Sequence, residues 1–416
     1  MAKSRVLFLC GTAPWLRNGG ALLRNYWMIH ALARQYAVDL VVADEPGRIP
    51  ADFAAIIDDY ASFPRGTNAR GGFGRLARAA MPGESTLTAG WASPALREYV
   101  ANRLGRYPYV AIQTDLPMRA ALPRLDAIPI VYNAHNCESA LLSRRAATEA
   151  PPAGMALLFD AMRVRTQERA LIDRASLVAA CAEQDLIDFE RFVPGVRSKT
   201  AIIANGVDVA HYLPIRSATS DSCTVLITGS MDWRPNLLGL RWFLRNALPR
   251  LRALIPFVVV RVAGRMNPAL EAELRGYPNV EAVPNPPSMD DYLAAATVVA
   301  APIIASSGTR LRILEAWAAS RPVITTTAGA FGLNCRPGHE LMVCDEPLAF
   351  AEGLAALLAS ESTRAALVAA AARRVLDYDW HAIGSELLAA YGRVAIEAPL
   401  RRLDTVSEEV VLSGSV

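Results

Sequence analysis

An alternation that happens twice constrains this chain more than any other feature. Short apolar runs are separated by longer stretches of helical periodicity, and the pattern restarts near the middle. In the first half, residues 5–10, 38–42, 109–114, 128–133, 177–182 and 201–203 read as strands, with a helix over about 20–35. In the second half the strands fall at 224–228, 258–263, 280–283, 297–301, 323–326 and 342–344. Helical patterns at 237–254, 289–295, 309–319 and 348–359 lie between them, and 361–377 and 381–396 follow. Unbroken apolar strands are buried on both faces, as in parallel sheets, and alternation with helices builds doubly wound α/β units. The polar stretch 214–222 interrupts the pattern. The expected layout is therefore an N-terminal domain, 1–214, and a C-terminal domain, 215–380. A closing helix, 381–398, and a polar, mobile tail, 399–416, follow.

Composition narrows the function. The 416 residues are 52% hydrophobic and 20% charged, with a net charge of +3. That is globular and nearly neutral, and it argues against nucleic-acid binding by bulk charge. The only lysines are Lys3 and Lys199, which excludes a P-loop lysine or a Schiff base in the second half. Cys10, Cys137, Cys181, Cys223, Cys335 and Cys344 are scattered without a CxxC pair, as expected of buried thiols in a reducing compartment. The opening apolar run is too short for a signal peptide, and the most apolar window, 293–304, is too short to span a bilayer. The expected location is the cytoplasm. Arginines at 65, 70, 75, 78, 97, 103 and 106, interleaved with apolar residues, raise peripheral contact with the inner membrane face through the basic segments 63–106. An ordinary solvated face explains the same pattern.

Five segments carry chemistry. Gly19-Gly20 follows the first strand and opens a helix, where exposed amides favour an anion, with Arg24 one turn further on. A glycine pair before a helix is also a plain turn. His135 and Asn136 stand where a strand ends, the edge at which doubly wound domains bind ligands; the competing reading is a loop satisfied by backbone. No second His or Asp cluster completes a metal site around His135. Asn205-Gly206 with Asp208 reads as a turn toward a linker. Gly229 and Ser230 end the first strand of the second half, with Arg234 before a helix that Pro235 begins. Ser307, Gly308, Thr309 and Arg310 form a small-residue loop into a helix bearing Arg312 and Glu315. Loop amides there can cradle a diphosphate, and the carboxylate can accept from ribose hydroxyls. Plain amphipathicity with an Arg312–Glu315 ion pair is the structural alternative.

Together NGVD (205–208), GSMDWRPN (229–236) and GTRLRILEAWAASRPVITT (308–326) resemble glycosyltransferase family 4, and within it a branch engaged in exopolysaccharide and glycan assembly. The resemblance runs over about 5–395. It implies the GT-B fold, two Rossmann-like domains facing a central cleft. It implies a retaining, metal-independent hexosyltransferase that uses a nucleotide sugar as co-substrate and needs no other cofactor. The acceptor is a glycan, a lipid-linked glycan or a small molecule. By position, Glu315 matches the ribose-binding glutamate, and Ser307 to Arg310 match the loop facing the diphosphate. Gly229, Ser230, Arg234 and Arg312 join the donor side. His135 matches the family's histidine near the transferred sugar, Gly19-Gly20 match the glycine loop near the donor phosphate and the acceptor, these three forming the expected catalytic set, and Arg24 and Asn136 lie on the acceptor side. The sequence departs from the family at Ser307, where a first glutamate is usual, and at Ser230 and Asn236, where Arg and Lys usually clamp the diphosphate. Those departures motivate the alternatives of a catalytically inactive nucleotide- or glycan-binding partner, or a nucleotide-sugar epimerase.

Overall fold

In a computed structural model the described residues are 3–17, 19–44, 48–65, 84–123, 128–147, 149–218, 220–221, 223–304 and 310–397. The chain divides into two units. One comprises Met1–Ala204 with Gly384–Val416, the other Asn205–Ile383. The change of unit comes ten residues before the polar 214–222 stretch, because the intervening chain packs on the second unit: Val207 bridges Asp379, and a Cβ on Gly206 would lie 2.6 Å from the Tyr378 carbonyl.

The first unit holds strands β1 (Arg5–Cys10), β2 (Ala37–Val42), β3 (Asp59–Ser62), β4 (Tyr109–Thr114), β5 (Ile130–Ala134), β6 (Leu177–Ala180) and β7 (Thr200–Ile202). They form one sheet in the order β3-β2-β1-β4-β5-β6-β7, every described pair parallel. The second unit holds β8 (Thr224–Thr228), β9 (Val259–Gly264), β10 (Val280–Pro284), β11 (Val298–Ala301), β12 (Val323–Thr325) and β13 (Met342–Val343). Their order is β10-β9-β8-β11-β12-β13, again parallel. Each sheet is doubly wound, and its order reverses at one place: between β1 and β4, and between β8 and β11. Ligands of such sheets bind beyond the carboxyl ends of the strands at that reversal.

The strand cores are apolar throughout: β1 from Val6 to Cys10, and β8 at Val225, Leu226 and Ile227, are buried. β3 went unread because Asp59, Tyr60, Ala61 and Ser62 make no apolar run at a sheet edge. The helix expected at 237–254 is interrupted. Arg234–Trp242 and Leu248–Leu254 are α-helical, and Phe243–Ala247 is a π turn. Pro249 accounts for the break, since it lacks an N–H and its ring crowds the carbonyl four residues back. In the basic segments, helix Pro94–Arg106 turns Leu96, Val100 and Leu104 into the core, and Arg103 pairs with Asp39 and Asp59. Its apolar face is therefore not a surface for lipid, and residues 66–83 lie outside the described residues. So does the tail beyond 397. Helix Trp380–Glu397 enters the first unit at Gly384, which sits against Ala31, and Tyr391 donates its hydroxyl proton to Gln113 Oε1.

The cysteines are free thiols among the described residues, with Cys10, Cys137 and Cys181 buried and the other three half-buried.

Candidate functional site

In the first unit, the carboxyl ends of β4 and β5 meet helix Gly20–Ala33 in a buried polar network. Asn133 Nδ2 donates to Asn25 Oδ1 at 2.7 Å and to Asp115 Oδ1 at 2.9 Å. Asn25 Nδ2 donates to Asp115 Oδ2 at 2.9 Å. His135 Nε2 lies 3.2 Å from Asp115 Oδ1. When Nε2 carries the proton donated to Asp115, Nδ1 is left as an acceptor. That Nδ1 is buried without a hydrogen-bond partner among the described residues. Leaving such an atom unsatisfied costs about 1–3 kcal/mol, which a hydroxyl donor would relieve. Asp115, Asn25 and Asn133 were not singled out in the sequence. The available signal was period-two placement of Asn133 and His135 on one strand face, with an acid directly after β4.

The two residues expected on the acceptor side both have protein partners. Arg24 is held inside the first unit. It is fully buried, its Nε donates to Asn133 Oδ1 at 2.8 Å, and its Nη atoms donate to the carbonyls of Ala179, Ile203 and Ala204. A cation in the interior must be neutralised or hydrogen-bonded, and here carbonyls at the ends of β6 and β7 do it. Asn136 donates from Nδ2 to Glu138 Oε1 at 3.1 Å, a local bond at the start of helix Glu138–Ala146. Gly19 is the residue before helix Gly20–Ala33, in extended conformation, and a Cβ there would meet nothing within 4 Å. Neither backbone strain nor packing demands glycine at 19, and the helix start is open beside it.

In the second unit, Gly229 follows β8 at the sheet reversal, and Gly264 at the end of the neighbouring β9 packs on it. Both have positive φ, +129° and +140°, and a Cβ on Gly264 would overlap the Gly229 carbonyl at 2.1 Å. Only glycine fits both demands at 264. A Cβ on Gly229 would lie 3.0 Å from Arg312 Nη2 and 3.2 Å from Asn236 Nδ2. Arg312, on helix Leu311–Ala318, thus reaches the loop after β8. Its Nη2 donates to Asn236 Oδ1, while Asn236 Nδ2 donates to the Ser230 carbonyl at 2.8 Å. Burial lowers the Arg312 pKa to about 10, against the pull of Glu315, so the cation is intact at neutral pH. Ser230 Oγ accepts from Arg265 Nε at 3.2 Å.

Glu315 does not pair with Arg312. Among the described residues no hydrogen bond or ion pair holds its carboxylate. Burial raises its pKa, Arg312 and His211 oppose the rise, and Asp290 adds to it. Tyr212 is raised in turn by burial and by Glu315, and His211 Nε2 lies 3.0 Å from Asp290 Oδ1. An unpaired carboxylate bordered by a phenol and an imidazole can accept from two adjacent hydroxyls. Arg310 fits the expectation less well. Its guanidinium is buried, donates to the Ala328 carbonyl at 2.8 Å, and has its pKa lowered to about 10, chiefly by burial. It braces the helix start. Arg234 is exposed at the first turn of its helix. Ser307, Gly308 and Thr309 lie outside the described residues. Asn205 to Asp208 form a turn in which Asp208 Oδ1 accepts from the His211 amide at 3.1 Å. Among the described residues no group of three His, Cys, Asp or Glu is placed to hold a metal ion.

Comparison with known proteins bears on the fold and on the second unit. The family model described as glycosyl transferases group 1 matches residues 222–360, the segment carrying Gly229, Arg312 and Glu315. A phosphatidyl-myo-inositol mannosyltransferase of Mycolicibacterium smegmatis is 26% identical over 50% of this chain and 57% of its own length. Its Mycobacterium leprae counterpart is 30% identical over 41% and 47%. The chain thus spans about half the length of these curated relatives. Among solved structures, Anabaena HepE in complex with UDP and glucose superposes with TM-score 0.64 at 16% identity, covering 94% of this chain and all of that one. Sucrose-phosphate synthase of Thermosynechococcus elongatus reaches 0.69 at 18% identity, covering 94% and 99%. At such identities the likeness is one of fold, and that fold is GT-B. The chain thus has the GT-B fold, and residues 222–360 of its second unit resemble the glycosyl transferases group 1 family.

Proposed function

We propose that the protein transfers a sugar, with retention and without a metal, from a nucleotide-diphosphate sugar to an acceptor hydroxyl. The observation that carries this reading is the pairing on one short helix of Arg312, set against Gly229, with the carboxylate of Glu315, which has no partner among the described residues. The carboxylate accepts from the ribose hydroxyls, and the arginine meets the diphosphate. As the glycosyl–oxygen bond breaks, the bond's electron pair leaves with the diphosphate. Negative charge then grows where Arg312 and loop amides stabilise it. The acceptor oxygen bonds to the anomeric carbon on the face the diphosphate leaves, and its proton passes to the departing phosphate. In the first unit, His135 Nδ1 accepts from a hydroxyl of the transferred sugar, held in register by Asp115. Gly19 and Gly20, at the start of helix Gly20–Ala33, are assigned by this reading to the same step. The location that suits this reading is the cytoplasm, where nucleotide sugars are made.

HepE is described with UDP-glucose and the relatives as mannosyltransferases of a phosphoinositide, so the donor panel begins with uridine and guanosine nucleotide sugars and extends to ADP- and dTDP-sugars. Nucleotide release is measured for wild type, Glu315→Ala and His135→Ala. The expected result is one slowly hydrolysed donor, with both substitutions lowering the rate. A folded wild type that neither binds nor turns over any donor, with or without a lipid or glycan extract, would overturn the proposal.

A further inference from the structure

Helix Ala153–Arg174 is built inside out. Its inner face buries Asp160, Gln167 and Glu168 together with Ala161, Val164 and Leu171. Its outer face exposes Met155, Leu158, Phe159 and Met162, at 57%, 49%, 63% and 64% of their full surface. These four fall at helical spacing on one stripe. A solvated helix face carries polar residues, and single exposed apolar side chains are common, but four on one stripe mark a surface that something else covers.

The charges along the stripe say what that is. One turn beyond Met162 it continues as Arg165, Thr166 and Arg169, all exposed. The acids that would balance these arginines are turned inward: Asp160 accepts from Thr86, and Glu168 accepts from the amides of Glu138 and Ser139. Up to Asp173, which lies 3.9 Å from Arg169, the outer face offers positive charge only. An apolar patch flanked by arginines matches a bilayer surface with anionic headgroups. The Met, Leu and Phe side chains enter the acyl boundary, while guanidinium groups at the end of aliphatic stems meet phosphate. A second copy laid on the same stripe would bring no carboxylate but Asp173 to these arginines. No single helix among the described residues is long and apolar enough to cross a membrane, so contact at this face is interfacial.

We propose that the outer face of helix Ala153–Arg174 docks the first unit onto an anionic membrane surface. The proposal does not depend on the donor site. The full-length protein is sedimented with phosphatidylcholine vesicles and with vesicles that also contain phosphatidylglycerol. Wild type should pellet with the anionic vesicles only. The double variants F159S/M162S and R165E/R169E should bind them roughly tenfold more weakly. For F159S/M162S, thermal melting and hydrolysis of a soluble donor should be unchanged, because Phe159 and Met162 face solvent. Three outcomes overturn the idea. Wild type could bind neither vesicle. F159S/M162S could bind as wild type does, which would place the contact elsewhere. Wild type could elute as a dimer that F159S/M162S converts to monomer without any vesicle binding, which would make a second copy the occupant.

Discussion

Among the described residues, one side chain orients Arg312. Asn236 accepts from its Nη2 and is itself fixed by the Ser230 carbonyl, so the guanidinium stands over Gly229 rather than over its helix neighbour Glu315. If that placement matters in transfer, the two residues act as a unit. Arg312→Ala should lower kcat/KM for the donor by about a hundredfold or more, as loss of a charge-stabilising group does. Asn236→Ala should cost roughly tenfold, and the double variant should be no worse than Arg312→Ala alone. Donor kinetics on the four proteins decide it; additive losses would mean that Asn236 does not position Arg312. The sequence made Asn236 look like a gap in the clamp, because a motif aligned by position cannot show a side chain arriving from another helix. Glu315 was legible because it follows a small-residue loop at a strand end. Arg24 and Arg310 looked the same as Arg312 in sequence, and their partners separate them: the first two donate to backbone carbonyls, whereas Arg312 meets the Asn236 side chain beside Gly229.

Helix Ala153–Arg174 shapes its neighbour as well as its own surface. Helix Glu138–Ala146 has no cap from its own residue Cys137, and Glu168 takes that part, accepting from the amides of Glu138 at 2.6 Å and Ser139 at 3.3 Å. Burial pushes the Glu168 carboxyl from its ordinary 4.5 up to about 8, with Glu138 adding to the rise. Between those values the folded protein holds a proton that the unfolded chain has released. Stability therefore falls as pH rises through this window and is greatest below it. Melting temperatures of wild type from pH 6 to 9 should show that decline, and Glu168→Gln, which keeps an acceptor oxygen but cannot ionise, should flatten it. Glu168→Ala should melt lower throughout, by about 1–3 kcal/mol for the stranded amides. Parallel slopes for wild type and Glu168→Gln would remove Glu168 as the cause. This long helix was not read from the sequence, for the reason that makes it interesting. Polar residues on its inner face and apolar ones outside blur the stripe on which helix recognition depends. The strands were legible because a parallel sheet buries both faces, and the edge strand Asp59–Ser62 escaped for want of that burial.

At the scale of the whole chain, the boundary between units was legible only to within about ten residues, since polar composition marks where a linker could lie and not which unit it packs against. The chain changes unit after Ala204 and again after Ile383, so the first unit is completed by its most distant segment. Tyr391 is the anchor of that segment. Its ring is fully buried near Tyr36, and its hydroxyl donates to Gln113, a buried side chain whose own amide lies 3.2 Å from Met28 Sδ. Tyr391→Phe keeps the ring and strands the Gln113 oxygen, which should cost about 1–3 kcal/mol. Tyr391→Ala also opens a cavity and should cost about 3–5 kcal/mol. Every side chain assigned to the nucleotide belongs to the second unit, so Tyr391→Phe should bind nucleoside diphosphate as wild type does while melting at a lower temperature. Thermal melts and titration calorimetry on the three proteins separate these quantities. If Tyr391→Phe loses nucleotide affinity at unchanged stability, the last helix serves the donor site and not the closure of the first unit. If it matches wild type in both, the Gln113 bond contributes nothing and ring packing alone holds the segment.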